Sequence, residues 1–460
     1  MVADTRTKGV PVAEQRVVIV GAGFSGTIQA VNLLRNSGPR AVLVERSPRP
    51  GRGVAYSALL DEHVLNVRAS NMSAFHDDPD HFVRWAAARG IAAAGDFVSR
   101  RTYGDYLTEL LQQGMAEAPG RLQLVHDEAV GLSAASGLAL RLKSGRTLSA
   151  DTLVLAVGNL PPHDLPAIAA AGLAPGVYAS NPWSPDIADS LEEGDDVLVI
   201  GTGLTMVDVV LFLAAKGFAG RMFVMSRRGL LPRAHLPHGP VPDRLAEKPG
   251  PLSSSLVREV RRAADGEWRA TIDSLRPFTQ AMWRSATDAQ RRRFLTHLRP
   301  WWDVHRHRLA PPVAARITEL REQGRLVPLA GKILAVEPDG RNARIRWRPR
   351  GSDALQTMRV RRIVNCTGPQ GDLQRTGEPL LRDMLAQGLI RPDAHRLGVD
   401  VDRLGRVVSA DGVARPDIYA LGPITRGAFW EIVAVPDIRV QSWALARRLS
   451  DSYWVEGEGL

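Results

Sequence analysis

The sequence predicts an α/β protein made of two Rossmann-like dinucleotide-binding domains with a helical insertion, and three observations predict it. A strand pattern at 16–20 runs into Gly21-Ala-Gly-Phe-Ser-Gly26, then a helical stretch to about 35 and an apolar strand at 41–45. The same order returns at 196–200, with Gly201-Thr-Gly-Leu-Thr-Met206, a helix to about 216 and a strand at 221–225. Residues 235–325 then read as mostly helical and rich in arginine and tryptophan. At each glycine cluster the apolar period changes from that of a strand to that of a helix, which marks a β-α-β unit.

Composition narrows the class. The 460 residues are 44% hydrophobic and 23% charged, an ordinary balance for two or three domains. No run approaches the ~18–20 apolar residues of a membrane span, and the first residues lack the apolar core of a secretory signal. One cysteine, Cys366, excludes an internal disulfide and any Cys-x-x-Cys site. A cytoplasmic protein is expected. The formal charge is +10, and only Lys8, Lys143, Lys216, Lys248 and Lys332 among the basic residues are lysines. The arginines are scattered, with no like-charge run longer than Arg291–Arg293. That pattern argues against nucleic acid and suits anionic cofactors or substrates.

In the first fingerprint each glycine has a task. Gly21 makes the tight turn, Gly23 admits a pyrophosphate, and Gly26 lets helix pack on strand. Phe24 and Ser25 open the helix, whose N-terminus offers N–H groups to phosphate. Glu45 closes the second strand, placed to accept hydrogen bonds from a ribose diol. FAD is the expected occupant, because the unit lies near the N-terminus with a second one downstream. Gly51–Tyr56 and Leu65–Met72 offer backbone and amide groups to an extended cofactor. Arg46, Tyr56, Asn66, Val67, Asn71, Met72, Val130 and Gly158 complete its candidate contacts. Structural turns are the alternative for these two segments.

The second fingerprint keeps Gly201 and Gly203 but has Met206 in place of the third glycine, so its helix is expected slightly further from its strand. Leu204 and Thr205 open that helix. The next strand ends without an acid, in Ser226-Arg227-Arg228-Gly229. Two guanidiniums there suit the 2′-phosphate of NADPH. Strands ending in glycine at 152–158 and 362–368 each read as the last strand of a nucleotide-binding segment before the chain crosses to another; a further strand ends at Gly422, and a helix is expected at 436–449. The expected division is 1–180 for the first part of the FAD domain, 181–365 for the NADPH domain with its insertion, and 366–460 for the rest of the FAD domain.

On these stretches the chain resembles the bacterial FAD/NAD(P)-binding proteins, a group that includes aspartate N-monooxygenases forming nitrosuccinate. The resemblance is carried by Gly21–Gly26, Gly51–Tyr56, Leu65–Met72, Gly201–Asp208, Arg299–Arg308 and Ala420–Gln441. It implies FAD, a pyridine nucleotide and oxygen chemistry, without implying aspartate. A looser similarity is to class B flavin monooxygenases, whose linker motif corresponds to Gly176-Val-Tyr-Ala-Ser-Asn-Pro-Trp183. Serine stands where their histidine would be, and Trp183 comes one position early. Asn181 and Trp183 are thus candidate active-site residues, and a structural linker is an equal reading.

The expected function is an NADPH-dependent FAD monooxygenase that uses molecular oxygen to N-oxygenate a small amine or amino acid through a C4a-hydroperoxyflavin. The cofactors carry that chemistry, so no acid/base dyad is required. In such flavoproteins the strand ending at Gly422 and the helix after Val435 approach the flavin, with Glu431 or Trp430 facing the ring. Arg276, Arg284, Trp301 and Trp302 of the insertion are candidates to hold an anionic substrate. His305 and His307 diverge by about 200° on a helix, which argues against a metal. Cys366 reads as a buried structural thiol. Two rivals stay open: a flavin dehydrogenase without oxygenation, and a non-enzymatic redox or RNA-binding flavoprotein.

Overall fold

Strands such as Val17–Val20 and Val197–Ile200 are apolar at every position and buried throughout, as parallel sheets covered on both faces require. The computed structural model describes residues 14–57, 60–236, 254–264 and 268–451. The chain forms two compact units: Met1–Ala58, Val67–Leu160 and Gly371–Leu460 in one, Leu59–Asn66 and Pro161–Gln370 in the other.

The first unit is built on a six-stranded sheet in the order Arg406–Val408, Ala414–Ala420, Thr152–Leu155, Arg16–Val20, Arg40–Glu45, Leu122–His126. All its pairs are parallel except that between Arg406–Val408 and Ala414–Ala420. Val17 and Ile19 share one core with Ala30 and Leu33 of the helix Phe24–Arg35, Leu111 of Arg100–Glu117, and Leu445 and Leu449 of Val435–Leu449. Val18 and Val20 point to the other face and a second core, the alternation a strand imposes. There the three-stranded antiparallel sheet Ala129–Ser133, Leu138–Leu142, Thr147–Ala150 and the helix Pro379–Ala386 cover them.

The second unit has a seven-stranded sheet in the order Gln356–Val360, Asn342–Pro349, Leu326–Asp339, Arg221–Ser226, Asp196–Ile200, Arg362–Asn365, Tyr178–Ala179. From Leu326–Asp339 to Tyr178–Ala179 the pairs are parallel. The long strand Leu326–Asp339 then continues into an antiparallel arm with Asn342–Pro349 and Gln356–Val360. Val197 and Val199 pack under the helices Leu204–Ala215 and Pro311–Glu322. Leu198 and Ile200 face Ile168, Val177, Ile345 and Trp347.

The sequence division at 180/181 differs from the structural one, because Leu165, Ile168 and Leu173 pack into the core of Leu198 and Ile363 and so join the second sheet. Leu59–Asn66 belongs there too: Leu60 packs on that unit's core, and the His63 Nε2 atom bonds the Asp208 carbonyl at 3.0 Å. The insertion comprises the helices Ser254–Ala264, Trp268–Ser274, Thr279–Ser285, Asp288–Arg293 and Arg299–Arg306. Leu256, Ile272, Leu275 and Met282 form a small core of their own. The following helix, Pro311–Glu322, places Ile317 and Leu320 on the sheet, so it belongs to the α/β layer rather than to the insertion. Residues 237–253 and 265–267 of the expected helical segment lie outside the described residues. Among the described residues no helix is long and apolar enough to cross a membrane.

Candidate functional site

In the first unit the chain leaves Arg16–Val20 at Gly21 with φ +102°, and a Cβ there would lie 2.5 Å from the Ala156 carbonyl oxygen. A Cβ on Gly26 would lie 1.8 Å from the Gly21 oxygen. Both positions therefore demand glycine for internal reasons. Gly23 does not: the nearest atom to a Cβ there is the Gly53 Cα at 3.5 Å. The two loops meet backbone to backbone there with no side chain between them, as close approach to a pyrophosphate requires. Gly23 is the N-cap of Phe24–Arg35 and no side chain caps that helix, so its first N–H groups suit phosphate.

Glu45 ties the loop to the second strand. Its carboxylate accepts from Ala22 N at 2.6 Å and from Ser47 N at 2.7 Å, and each oxygen keeps a lone pair for a ribose hydroxyl. Arg46 is engaged elsewhere, donating to Glu378 at 2.8 and 3.1 Å and to Glu128 at 3.3 Å. Val130 sits at a register shift between Ala129 and Gly131, a bulge that takes its backbone out of the ladder. Gly158, at φ +70°, is open, with nothing within 4 Å of where a Cβ would lie.

Several candidates come together around the first helix. Gly422, at φ +77°, touches its N-terminus: a Cβ there would lie 2.3 Å from Ser25 Oγ. The Phe24 and Tyr56 rings both pack on Tyr103, at 6.4 and 4.7 Å between centroids. Ala69–Asn71 forms a single 3-10 turn followed by buried Met72, while Asn71 is exposed. Val67 is half-buried in the first unit. Asn66 falls in the second, where its carbonyl accepts from the His235 ring at 2.9 Å. Glu431 is 1% exposed and held at φ +69°, a backbone conformation that costs a non-glycine residue about 1 kcal/mol or more. Trp430 is buried beneath the Arg426 guanidinium.

Gln441, which no motif marks, closes the Gly422 turn. Its Oε1 accepts from Gly422 N at 2.8 Å and its Nε2 donates to Thr425 Oγ1 at 3.2 Å. No local pattern flags a glutamine six residues into a helix.

The second unit repeats the plan. Gly201 has φ +110°, and a Cβ there would lie 2.0 Å from the Cys366 carbonyl oxygen. Gly201 N donates to Met225 O at 2.8 Å, as Gly21 N does to Val44 O. Ser226 therefore occupies the place of Glu45, and Arg227 that of Arg46. The Ser226 hydroxyl accepts from Thr202 Oγ1 and from Gly229 N, each at 3.0 Å. Gly203 caps the helix and is open, with nothing within 4 Å of a Cβ. Leu204 and Thr205 open that helix half-buried, and Met206 is wholly buried in the core. Arg227 is exposed and Arg228 half-buried, and neither makes a hydrogen bond or ion pair among the described residues. Burial pushes the Cys366 thiol well above its ordinary value, and Asp208 acts in the same direction, so it is no nucleophile.

Asn181 accepts from Trp183 N at 3.1 Å through its own side chain, an Asx turn that favours the linker reading of both residues. In the insertion, Arg276 is half-buried and Arg284 exposed. Trp302 packs on the insertion core, whereas Trp301 is 47% exposed; adjacent helical positions point about 100° apart. The His305 ring bonds the Trp301 carbonyl at 2.7 Å. Arg308 is buried in an ion pair with Asp273. Among the described residues no group of three or more His, Cys, Asp or Glu is placed to hold a metal ion.

Residues 18–160 match a family model described as FAD-NAD(P)-binding. No curated protein matches the chain significantly. Solved structures share the fold, among them three amine-oxygenating enzymes. An ornithine N-hydroxylase of Kutzneria sp. 744, with reduced FAD, NADP⁺ and L-ornithine, is 15% identical over 95% of this chain and 99% of its own, with a TM-score of 0.64. An L-lysine 6-monooxygenase of Pseudomonas syringae is 18% identical, over 95% and 99%, at 0.65. A cadaverine monooxygenase of Erwinia amylovora, bound to FAD, is 14% identical, over 96% of each chain, at 0.66.

Proposed function

We propose that this protein is an NADPH-dependent FAD monooxygenase that N-oxygenates a small amine or amino acid. The observation that carries the reading is the pair of matched glycine turns, each jammed against a neighbouring strand's carbonyl and each free of side chains where a pyrophosphate would lie. The shared fold of three amine-oxygenating enzymes supports it.

In this reading the first unit holds FAD. Backbone N–H groups of Gly23, Phe24 and Ser25 bind the pyrophosphate, Glu45 takes the ribose diol, and the Val130 backbone meets the adenine. Asn71, Met72, Gly158 and the Gly422–Glu431 segment line the flavin end. The second unit holds NADPH through Gly201, Gly203, Leu204 and Thr205, with Ser226, Arg227 and Arg228 on the 2′-phosphate. FAD, when bound, supplies an acceptor for the coenzyme's hydride and a centre that reduces molecular oxygen. The chain's own residues bind, orient and exclude water. With its one cysteine buried, the chain has no dithiol to receive electrons, which favours an acceptor outside the chain such as oxygen. Arg276, Arg284 and Trp301 of the insertion remain the candidates for holding substrate.

The test is substrate-stimulated turnover. Purified holoprotein is given NADPH and oxygen with L-ornithine, L-lysine, cadaverine or L-aspartate, and the product mass is measured. An amine that raises NADPH and oxygen consumption together, and gains one oxygen atom, is the expected outcome. NADPH oxidation that no amine changes, with every electron pair recovered as hydrogen peroxide, assigns the protein to the dehydrogenases instead.

A further inference from the structure

We propose that Arg350 is a third coenzyme-specificity residue, holding the 2′-phosphate of NADPH together with Arg227 and Arg228. The proposal rests on the NADPH reading above. Its basis is the way three segments meet at the carboxyl edge of the second sheet, where α/β sheets bind their ligands.

Ser226, the last residue of its strand, lies opposite Ala330 of Leu326–Asp339. The turn that follows bends toward that neighbour. Gly229, at φ +63°, donates its N–H to Ser226 Oγ at 3.0 Å, and a Cβ on Gly229 would come to 3.0 Å from the Ala330 Cβ. The other side of Ala330 is taken by Arg350, whose N–H donates to the Ala330 carbonyl at 2.8 Å where the chain leaves Asn342–Pro349. Adjacent strands lie ~4.8 Å apart, so Arg350 leaves the sheet about 10 Å from Ser226. Two arginines extending from these points span that gap with a phosphate between them.

The charge pattern singles out the same place. Arg350 is exposed and, like Arg227 and Arg228, makes no side-chain hydrogen bond or ion pair among the described residues. Asp353, the acid three residues after Arg350, pairs with none of them among the described residues. Two residues along the arm Lys332 lies opposite Arg348, a like-charge pair that costs the sheet stability and adds positive potential. At the far end of the same arm Asp339 takes Arg359 at 2.8 Å and Arg344 at 3.8 Å. Unpaired guanidiniums at a ligand edge are what a phosphate dianion requires.

The experiment uses holoprotein and compares wild type, Arg350→Ala, Arg350→Lys and the double change Arg227→Ala/Arg228→Ala. Anaerobic flavin reduction by NADPH and by NADH is followed, and 2′-AMP and 5′-AMP are used as competing probes. Arg350→Ala is expected to lower the NADPH-over-NADH preference about tenfold and to weaken 2′-AMP inhibition in parallel, while 5′-AMP inhibition is unmoved. Arg350→Lys should recover part of the loss. If Arg350→Ala keeps the wild-type preference while the double change loses it, Arg350 has no such role and the NADPH reading stands. Equal losses with both coenzymes also overturn the role. A wild type indifferent to the 2′-phosphate removes the NADPH reading, and the proposal with it.

Discussion

The two glycine turns share their first half and differ in their second. In both, a glycine near φ +100° rests on the carbonyl of a neighbouring strand and donates its N–H to the end of the next one. That half is what any pyrophosphate turn needs. Beyond it, the first turn ends in a carboxylate that grips two backbone N–H groups, with its following arginine neutralised by two glutamates. The second ends in a serine hydroxyl, with two arginines lacking acid partners among the described residues. A ribose diol is matched by the first ending and a ribose phosphate by the second. The shared half thus reports the cofactor class, and the divergent half reports which cofactor.

The largest effects should come from breaking the shared half. Gly26→Ala drives a methyl into the Gly21 carbonyl oxygen, and Gly21→Ala does the same at Ala156 with an unfavourable φ added. Each should cost about 3 kcal/mol or more and leave protein without FAD. Gly23→Ala meets only the Gly53 Cα at 3.5 Å. Its apoprotein should melt within a degree or two of wild type, with FAD affinity alone reduced. Denaturant unfolding of apoprotein, beside flavin titration, separates these cases; a Gly23→Ala apoprotein as unstable as Gly26→Ala would end the distinction.

Next come the divergent halves. Glu45→Ala removes two charged hydrogen bonds and should cost about 2–3 kcal/mol with a marked loss of FAD. Ser226→Ala should cost only about 1 kcal/mol. Ser226→Glu makes the second turn like the first, bringing a carboxylate to the ribose. The NADPH-over-NADH preference should then fall at least about tenfold while stability changes little. Stopped-flow reduction with both coenzymes reads the first effect and thermal melting the second. An unchanged coenzyme ratio would show that Ser226 is not at the ribose.

Most of this was legible in the sequence because the signal was local. Strand, glycines, helix and following strand are contiguous at both turns, and the strand ends at 152–158 and 362–368 carried their own apolar runs. What escaped was set by distant contacts. The helix Arg100–Glu117 had a readable face, with Tyr103, Leu107 and Leu110 buried and Ser99 capping its start, yet its partners are far along the chain. The join at 160/161 follows from how Leu165 and Ile168 pack, which no linker composition announces. Arg350 reads in sequence as one more scattered arginine, and the Ala330 hydrogen bond places it across that residue from Gly229. The sequence put Trp301 and Trp302 together as substrate contacts, whereas the helix turns one inward and the other to solvent.

The smallest effect expected is also the sharpest control on the comparison. Arg46 and Arg227 hold the same position in the two turns, but Arg46 is spent on Glu378 and Glu128. Its side chain is 55% exposed and those of both glutamates are 22% exposed, so solvent screens the pairs and their net worth is at most about 1 kcal/mol. Arg46→Ala should therefore lower stability by no more than that, with a deficit that shrinks in high salt. FAD affinity should stay within about twofold of wild type, because a neutralised guanidinium has little left to offer a phosphate. Arg227→Ala should do the reverse, sparing stability and raising the NADPH dissociation constant. Denaturant melts at two salt concentrations and fluorescence titration of FAD decide the matter. If Arg46→Ala loses FAD as steeply as Arg227→Ala loses NADPH, neutralisation is not what separates the two turns, and the assignment of their endings to a diol and a phosphate fails.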